Sequence, residues 1–212
     1  MKENNNLSFG VRVVYFAQSV FTVIGLVLQA VITFNAVFTP HHEFKDGLVV
    51  CIVENIIPMV IFAALFIYAF FGLKKDSKLF YAIAILNISY ATAQIASAQA
   101  FFAVARPILM TLLSIHLGFL TAFVVLINVN SNRALWMMRF AILGKISYHL
   151  VHLGIRNLQD RLQISAILEE FGGSERFFLV AKLLIPLLID TSIYFCYKAK
   201  LRHGKGQITE NK

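Results

Sequence analysis

Six apolar stretches follow one another along the chain, at about 11–38, 47–73, 79–105, 107–128, 134–155 and 177–197. Nothing else in the sequence constrains the fold as tightly. Each stretch matches or exceeds the ~20 residues that a helix needs to cross ~30 Å of hydrocarbon. Lipid offers no partner to a bare N–H or C=O, so each crossing segment must satisfy its own backbone, as a helix does. The expected fold is all-α. It is a polytopic integral membrane protein, a bundle of six transmembrane helices forming a single domain over residues 1–212.

Composition agrees with that class. Hydrophobic residues make up 58% of the chain against 14% charged, and the mean hydropathy is +0.73. A water-soluble domain of this length needs more polar residues to cover its outside. Lys2 and Arg12 sit before or at the start of the first apolar run, which is far longer than the core of a cleavable signal peptide. The first span is therefore expected to stay in the mature protein.

Basic residues set the orientation. With the N-terminus inside, the inner segments hold Lys2, Arg12, Lys74, Lys75, Lys78, Arg133, Lys198, Lys200, Arg202, Lys205 and Lys212, which is eleven. The outer segments hold Lys45, Arg106, Arg156, Arg161 and Arg176, which is five. Cationic loops stay cytoplasmic, so both termini are expected inside a bacterial plasma membrane, in a compact chain without an organelle signal. Trp136, Tyr15, Tyr81 and Tyr197 then fall near the inner interface, where an aromatic belt would sit. The net charge of +8 resides mainly in the 73–78 loop and the basic 198–212 tail, where it meets anionic headgroups. No nucleic-acid module accompanies it, so nucleic acid is not an expected partner. Cys51 and Cys196 lie near opposite faces, too far apart for a disulfide.

Polar residues recur on one face of three spans: Gln18, Thr22, Gly25 and Gln29; Asn87, Tyr90, Gln94 and Ser97; Thr111, Ser114, Gly118 and Thr121. Two readings fit. Small and amide side chains pack helices together, or the faces line a hydrated interior. The small residues over 89–100 also suit a homo-oligomer or a membrane-protein partner.

Intramembrane charges carry more information, because burying them is costly. Glu54 and Lys182 lie at similar depth in the outer half, each four residues before a proline, Pro58 and Pro186. They could pair where the prolines kink both helices, with a purely structural ion pair or a snorkelling Lys182 as the alternative. Asp190 and Arg139 form a second candidate ion pair near the inner side, with headgroup contact the alternative for Arg139. Lys145, His149, His152 and Arg156 form a cationic stripe on span five, facing either an anionic solute or the outer headgroups. The two histidines change charge between about pH 5 and 8 when unperturbed. An amphipathic segment over 155–171 follows, ended by Gly172 and Gly173.

Other chemistry finds little support. His116 and His149 differ in depth, which argues against a haem between them and for a core histidine at His116. The 39–47 loop holds His41 and His42 without metal-site spacing. No hydrolase, metalloprotease or phosphatase motif occurs, so neither enzymatic activity nor a cofactor or metal is expected. The expected function is a small transporter or solute-binding membrane subunit, embedded in the lipid bilayer and binding a small solute or ion. Its ligand-binding groups would be Glu54, Gln94, Gln99, His149, His152 and Lys182. The alternative is a sensor, assembly or regulatory subunit that binds another membrane protein.

Overall fold

The computed structural model describes residues 9–38, 52–72, 77–97, 106–129, 132–163 and 174–210. Among them every regular element is a helix: α1 (Phe9–Phe38), α2 (52–72), α3 (Ser77–Ser97), α4 (Arg106–Ile127), α5 (Asn132–Gln163) and α6 (Ser174–Glu210). Four contain stretches long and apolar enough to cross a membrane: Arg12–Phe34, Ile52–Phe71, Arg106–Ile127 and Val180–Gly204. The other two, α3 and α5, are less apolar because they carry Asn87, Tyr90 and Gln94, and Lys145, His149 and His152.

Each helix packs on the next in chain order, and α6 closes the ring against α1 while also meeting α2. Short connections favour this antiparallel neighbour packing. Large apolar side chains stand out from every helix, among them Phe16, Val60, Ile85, Val125, Leu150 and Leu184. In water such a surface would be an association hazard, whereas lipid solvates it.

The wide first turn of α2 has an identifiable cause. Residues Ile52–Ile56 are π-helical and run into the regular helix Ile57–Ile67 through Pro58. Proline has no N–H for the carbonyl four residues back, which here belongs to Glu54. Gln29 Nε2 on α1 donates to that carbonyl at 3.3 Å and to Asn55 Oδ1 at 3.5 Å. One turn away on α1, Gly25 receives the ring of the fully buried Phe62, and a Cβ there would overlap that ring. The polar stripe of α1 thus faces inward: Gln18, Thr22 and Gln29 are all buried.

The stripe on α4 behaves differently. Thr111, Ser114, Gly118 and Thr121 are exposed, and the three hydroxyls bond back to the carbonyls of Pro107, Met110 and Leu117 at 2.8 Å. A short hydroxyl can satisfy itself on its own helix, so spacing alone does not turn it inward. The buried face of α4 is instead Leu109, Leu113, His116, Leu120, Phe123, Val124 and Ile127.

One end of the interior is filled by aromatic rings. Tyr68, Phe80, Phe123 and Tyr197 are 0–1% exposed, with centroid separations of 5.0 Å (Tyr68–Phe80), 6.1 Å (Phe80–Tyr197) and 5.4 Å (Phe123–Tyr197). Tyr197 is therefore a core residue and not part of an interfacial belt, while Trp136 is exposed. The basic segment after Tyr197 continues α6 as helix to Glu210, and α5 runs unbroken past the fifth apolar stretch to Gln163.

A buried polar cluster across four helices

The polar residues of α3, α4, α5 and α6 converge inside the ring. Asp190 is 2% exposed, and its Oδ1 accepts a hydrogen bond from Asn87 Nδ2 at 2.9 Å. Its Oδ2 lies 3.7 Å from His116 Nε2 and has no hydrogen-bond partner among the described residues. His116 Nδ1 is 2.8 Å from the carbonyl of Ala141. A carbonyl only accepts, so Nδ1 carries the hydrogen and the ring is fixed with Nε2 toward the carboxylate. Gly144 on α5 packs against the His116 backbone, where a Cβ would make ordinary van der Waals contact.

Lys145 is 1% exposed and donates to Gln94 Oε1. Gln94 in turn donates to the Tyr90 hydroxyl at 2.8 Å, and the ammonium stands 5.7 Å from the Tyr148 ring centroid. Asp190 is a carboxylate within electrostatic reach of Lys145. An ammonium and a carboxylate buried among apolar helices survive by compensating one another and by hydrogen bonding. One turn further along α5, His149 is 6% exposed, and neither ring nitrogen has a hydrogen-bond partner among the described residues. His152 is also buried, and Tyr148 touches both imidazoles.

Lys182 and Glu54 meet at the end of the bundle where α2 and α6 begin. Nζ donates to Oε2 at 3.2 Å, and the two side chains are 47% and 40% exposed. Eight residues separate Lys182 from Asp190, about 12 Å along a helix axis. The described polar groups therefore run from a half-exposed ion pair at one end, through Gln94 and Lys145, to Asp190 in the middle. The aromatic rings lie beyond, toward the other end.

Several expectations change. Arg139 and Asp190 do not pair. Arg139 is exposed, donates to the Tyr194 hydroxyl at 3.1 and 2.9 Å, and stacks over Trp136 at 4.8 Å. Tyr194 sits one turn beyond Asp190 on α6, so the guanidinium reaches the helix surface while the carboxylate points inward. The stripe of α5 does not face headgroups at Lys145, His149 or His152, since all three are buried. The side chain of Arg156 lies outside the described residues, as do Gln99, Cys51, the 39–47 loop, most of the 89–100 face beyond Ile95, and 164–171 of the amphipathic segment. His116 is more than a packed core histidine, because it joins the charge cluster. Sequence reading placed Asn87, Lys145, His116 and Asp190 in separate features. The signal that unites them is that each lies near the middle of its own helix.

Compared with protein-family models, curated proteins and solved structures, the chain matches none. Its function is argued from the cluster itself.

Proposed function

We propose that this protein is a small transporter, or a solute-binding membrane subunit, with six spans and both termini cytoplasmic in a bacterial plasma membrane. The observation that carries the reading is the contrast between an apolar exterior and an interior holding a buried ammonium, a buried carboxylate and an imidazole with both nitrogens unbonded. Unmet polar groups in a dry interior are costly, and proteins keep them where they serve a ligand. In this reading α3 and α5 are the third and fifth spans, added to the four apolar ones. Their polar residues are tolerated because they face one another across the bundle.

The solute enters beside Glu54 and Lys182 in the outer half. It is met by Gln94, His149 and His152, and the site reaches inward to Lys145 and Asp190. The aromatic layer of Tyr68, Phe80, Phe123 and Tyr197 closes the inner side. No covalent chemistry is assigned to any residue.

The test is thermal stability of the detergent-purified protein against a panel of small solutes and ions, at about pH 5.5 and about pH 7.5, on either side of ordinary histidine titration. A ligand that binds the folded state raises the melting temperature by mass action. The expected result is at least one hit, lost in Gln94→Leu. A panel without a hit removes the reading.

One observation favours the alternative of a sensor, assembly or regulatory subunit. The exposed row of Thr111, Ser114, Gly118 and Thr121 on α4 is the kind of small-residue face on which a second membrane helix packs. Stable co-purification of one membrane protein, lost in Gly118→Leu, would support it.

A further inference from the structure

The cluster has two unmet requirements, and they are complementary. Lys145 offers three N–H donors and, among the described residues, makes one hydrogen bond, to Gln94. His149, one turn away, is 6% exposed with both ring nitrogens unbonded. Neighbouring buried donors without acceptors call for an acceptor-rich group of small size. The second requirement is a proton. His116 gives its Nδ1 hydrogen to Ala141, so its Nε2 presents a lone pair to the unbonded Asp190 Oδ2 at 3.7 Å. Two lone pairs face each other there unless a proton occupies one of them.

Charge balance links the two. Lys145 carries +1 and Asp190 carries −1, so with neutral histidines the cluster is neutral. A buried cluster tolerates little net charge. A monoanion at Lys145 and His149 brings it to −1, and one proton between His116 and Asp190 restores zero. Either event alone leaves a net charge in a dry interior, and both together do not. The other ionisable groups around the pair are Tyr90 from α3 and Lys145, Tyr148, His149 and His152 from α5, with Glu54 of α2 acting on Tyr90 from further out. None supplies a second fixed positive charge.

Resting on the solute-binding reading above, we propose that the site binds a small monoanion on Lys145 and His149 together with one proton held between His116 Nε2 and Asp190 Oδ2. The proton comes from solvent and remains on the imidazole or the carboxyl while the anion is bound. No bond of the solute is broken.

The experiment titrates the detergent-purified full chain with acetate and with nitrate, in sulfate buffer of constant ionic strength. Glycerol and ethylammonium serve as neutral and cationic probes. Melting temperature reports binding, and a pH indicator in weak buffer reports proton uptake. Acetate or nitrate is expected to bind with uptake of about one proton, so affinity should fall about tenfold per unit rise in pH wherever that uptake accompanies binding. His116→Asn keeps a donor for Ala141 and cannot titrate. It leaves Asp190 as the remaining proton site of the pair, so it should bind the anion more weakly and with reduced proton uptake. Lys145→Met alone leaves Asp190 uncompensated, so Lys145→Met/Asp190→Asn is the variant of choice. It should fold and lose anion affinity by at least about tenfold.

Anion binding without proton uptake in the unaltered protein overturns the proposal, as does unchanged affinity in the double variant or undiminished proton uptake in His116→Asn. If glycerol or ethylammonium binds and neither anion does, the anion assignment falls while the solute-binding reading stands. If no probe of any charge binds and the wider solute panel is also silent, both fall.

Discussion

Asn87 shows how much one neutral amide can matter inside a bundle. Its Nδ2 is the hydrogen-bond donor that the structure gives to Asp190, at 2.9 Å and with both residues 2% exposed. Asn87→Leu keeps the volume close and removes the donor, leaving a carboxylate oxygen buried without a partner. The expected cost is about 1–3 kcal/mol of unfolding free energy in mixed micelles. In an Asp190→Leu background the same change should cost far less, because no acceptor remains to be orphaned. Equal costs in both backgrounds would show that Asn87 acts through packing alone. Glu54 provides the contrast. Its pair with Lys182 is half-exposed on both sides, so Glu54→Gln should lower stability by under about 1 kcal/mol. Any larger effect of Glu54→Gln should therefore appear in solute binding rather than in unfolding. The two acidic residues look alike in the sequence, each lying inside an apolar run, and burial separates them.

The first two helices are held by a combination of small size and a displaced backbone bond. Gly25 lets Phe62 of α2 lie directly on the α1 backbone, and Gln29 takes the carbonyl that Pro58 cannot serve. Gly25→Leu should push Phe62 out of its seat and lower stability by about 1–3 kcal/mol, the usual cost of overpacking. Adding Phe62→Ala should recover part of that loss, since the new side chain then has room. A melting temperature that Gly25→Leu leaves unchanged would mean that α1 and α2 do not rely on this contact. Glycine, proline and glutamine were each visible in the sequence as small, kinking or polar residues. Their joint action was not, because it needs Gln29 and Glu54, twenty-five residues apart, brought to 3.3 Å.

The bundle as a whole is asymmetric along its axis. Polar groups lead inward from the Glu54 end, and four packed aromatic residues fill the other. In the proposed orientation, with both termini cytoplasmic, the aromatic layer would lie on the cytoplasmic side. A fluorescent protein that matures only in the cytoplasm, fused to the C-terminus, should fluoresce. Alkaline phosphatase, active only outside, should be silent there and active when inserted in the 39–47 loop. The opposite pattern inverts the topology and places the polar entrance inside, though the cluster itself would be unaltered.

An all-helical chain with long apolar helices was determined by the sequence alone, because backbone satisfaction in lipid depends on each segment's own length and composition. The meeting of Glu54 with Lys182 was also legible, since two opposite charges at matched depth, each before a proline, have few other partners. Tertiary structure decided which polar faces turn inward. The serine and threonine row of α4 points outward because hydroxyls satisfy themselves on their own helix, whereas Lys145 and Asp190 cannot and are drawn into the ring. Tertiary structure also moved Arg139 from Asp190 to Tyr194 and brought His116 to the carboxylate instead. Helical periodicity gives the angle of a side chain about its own axis. It does not give the rotation of that axis against its neighbours, and that rotation determines which charges meet.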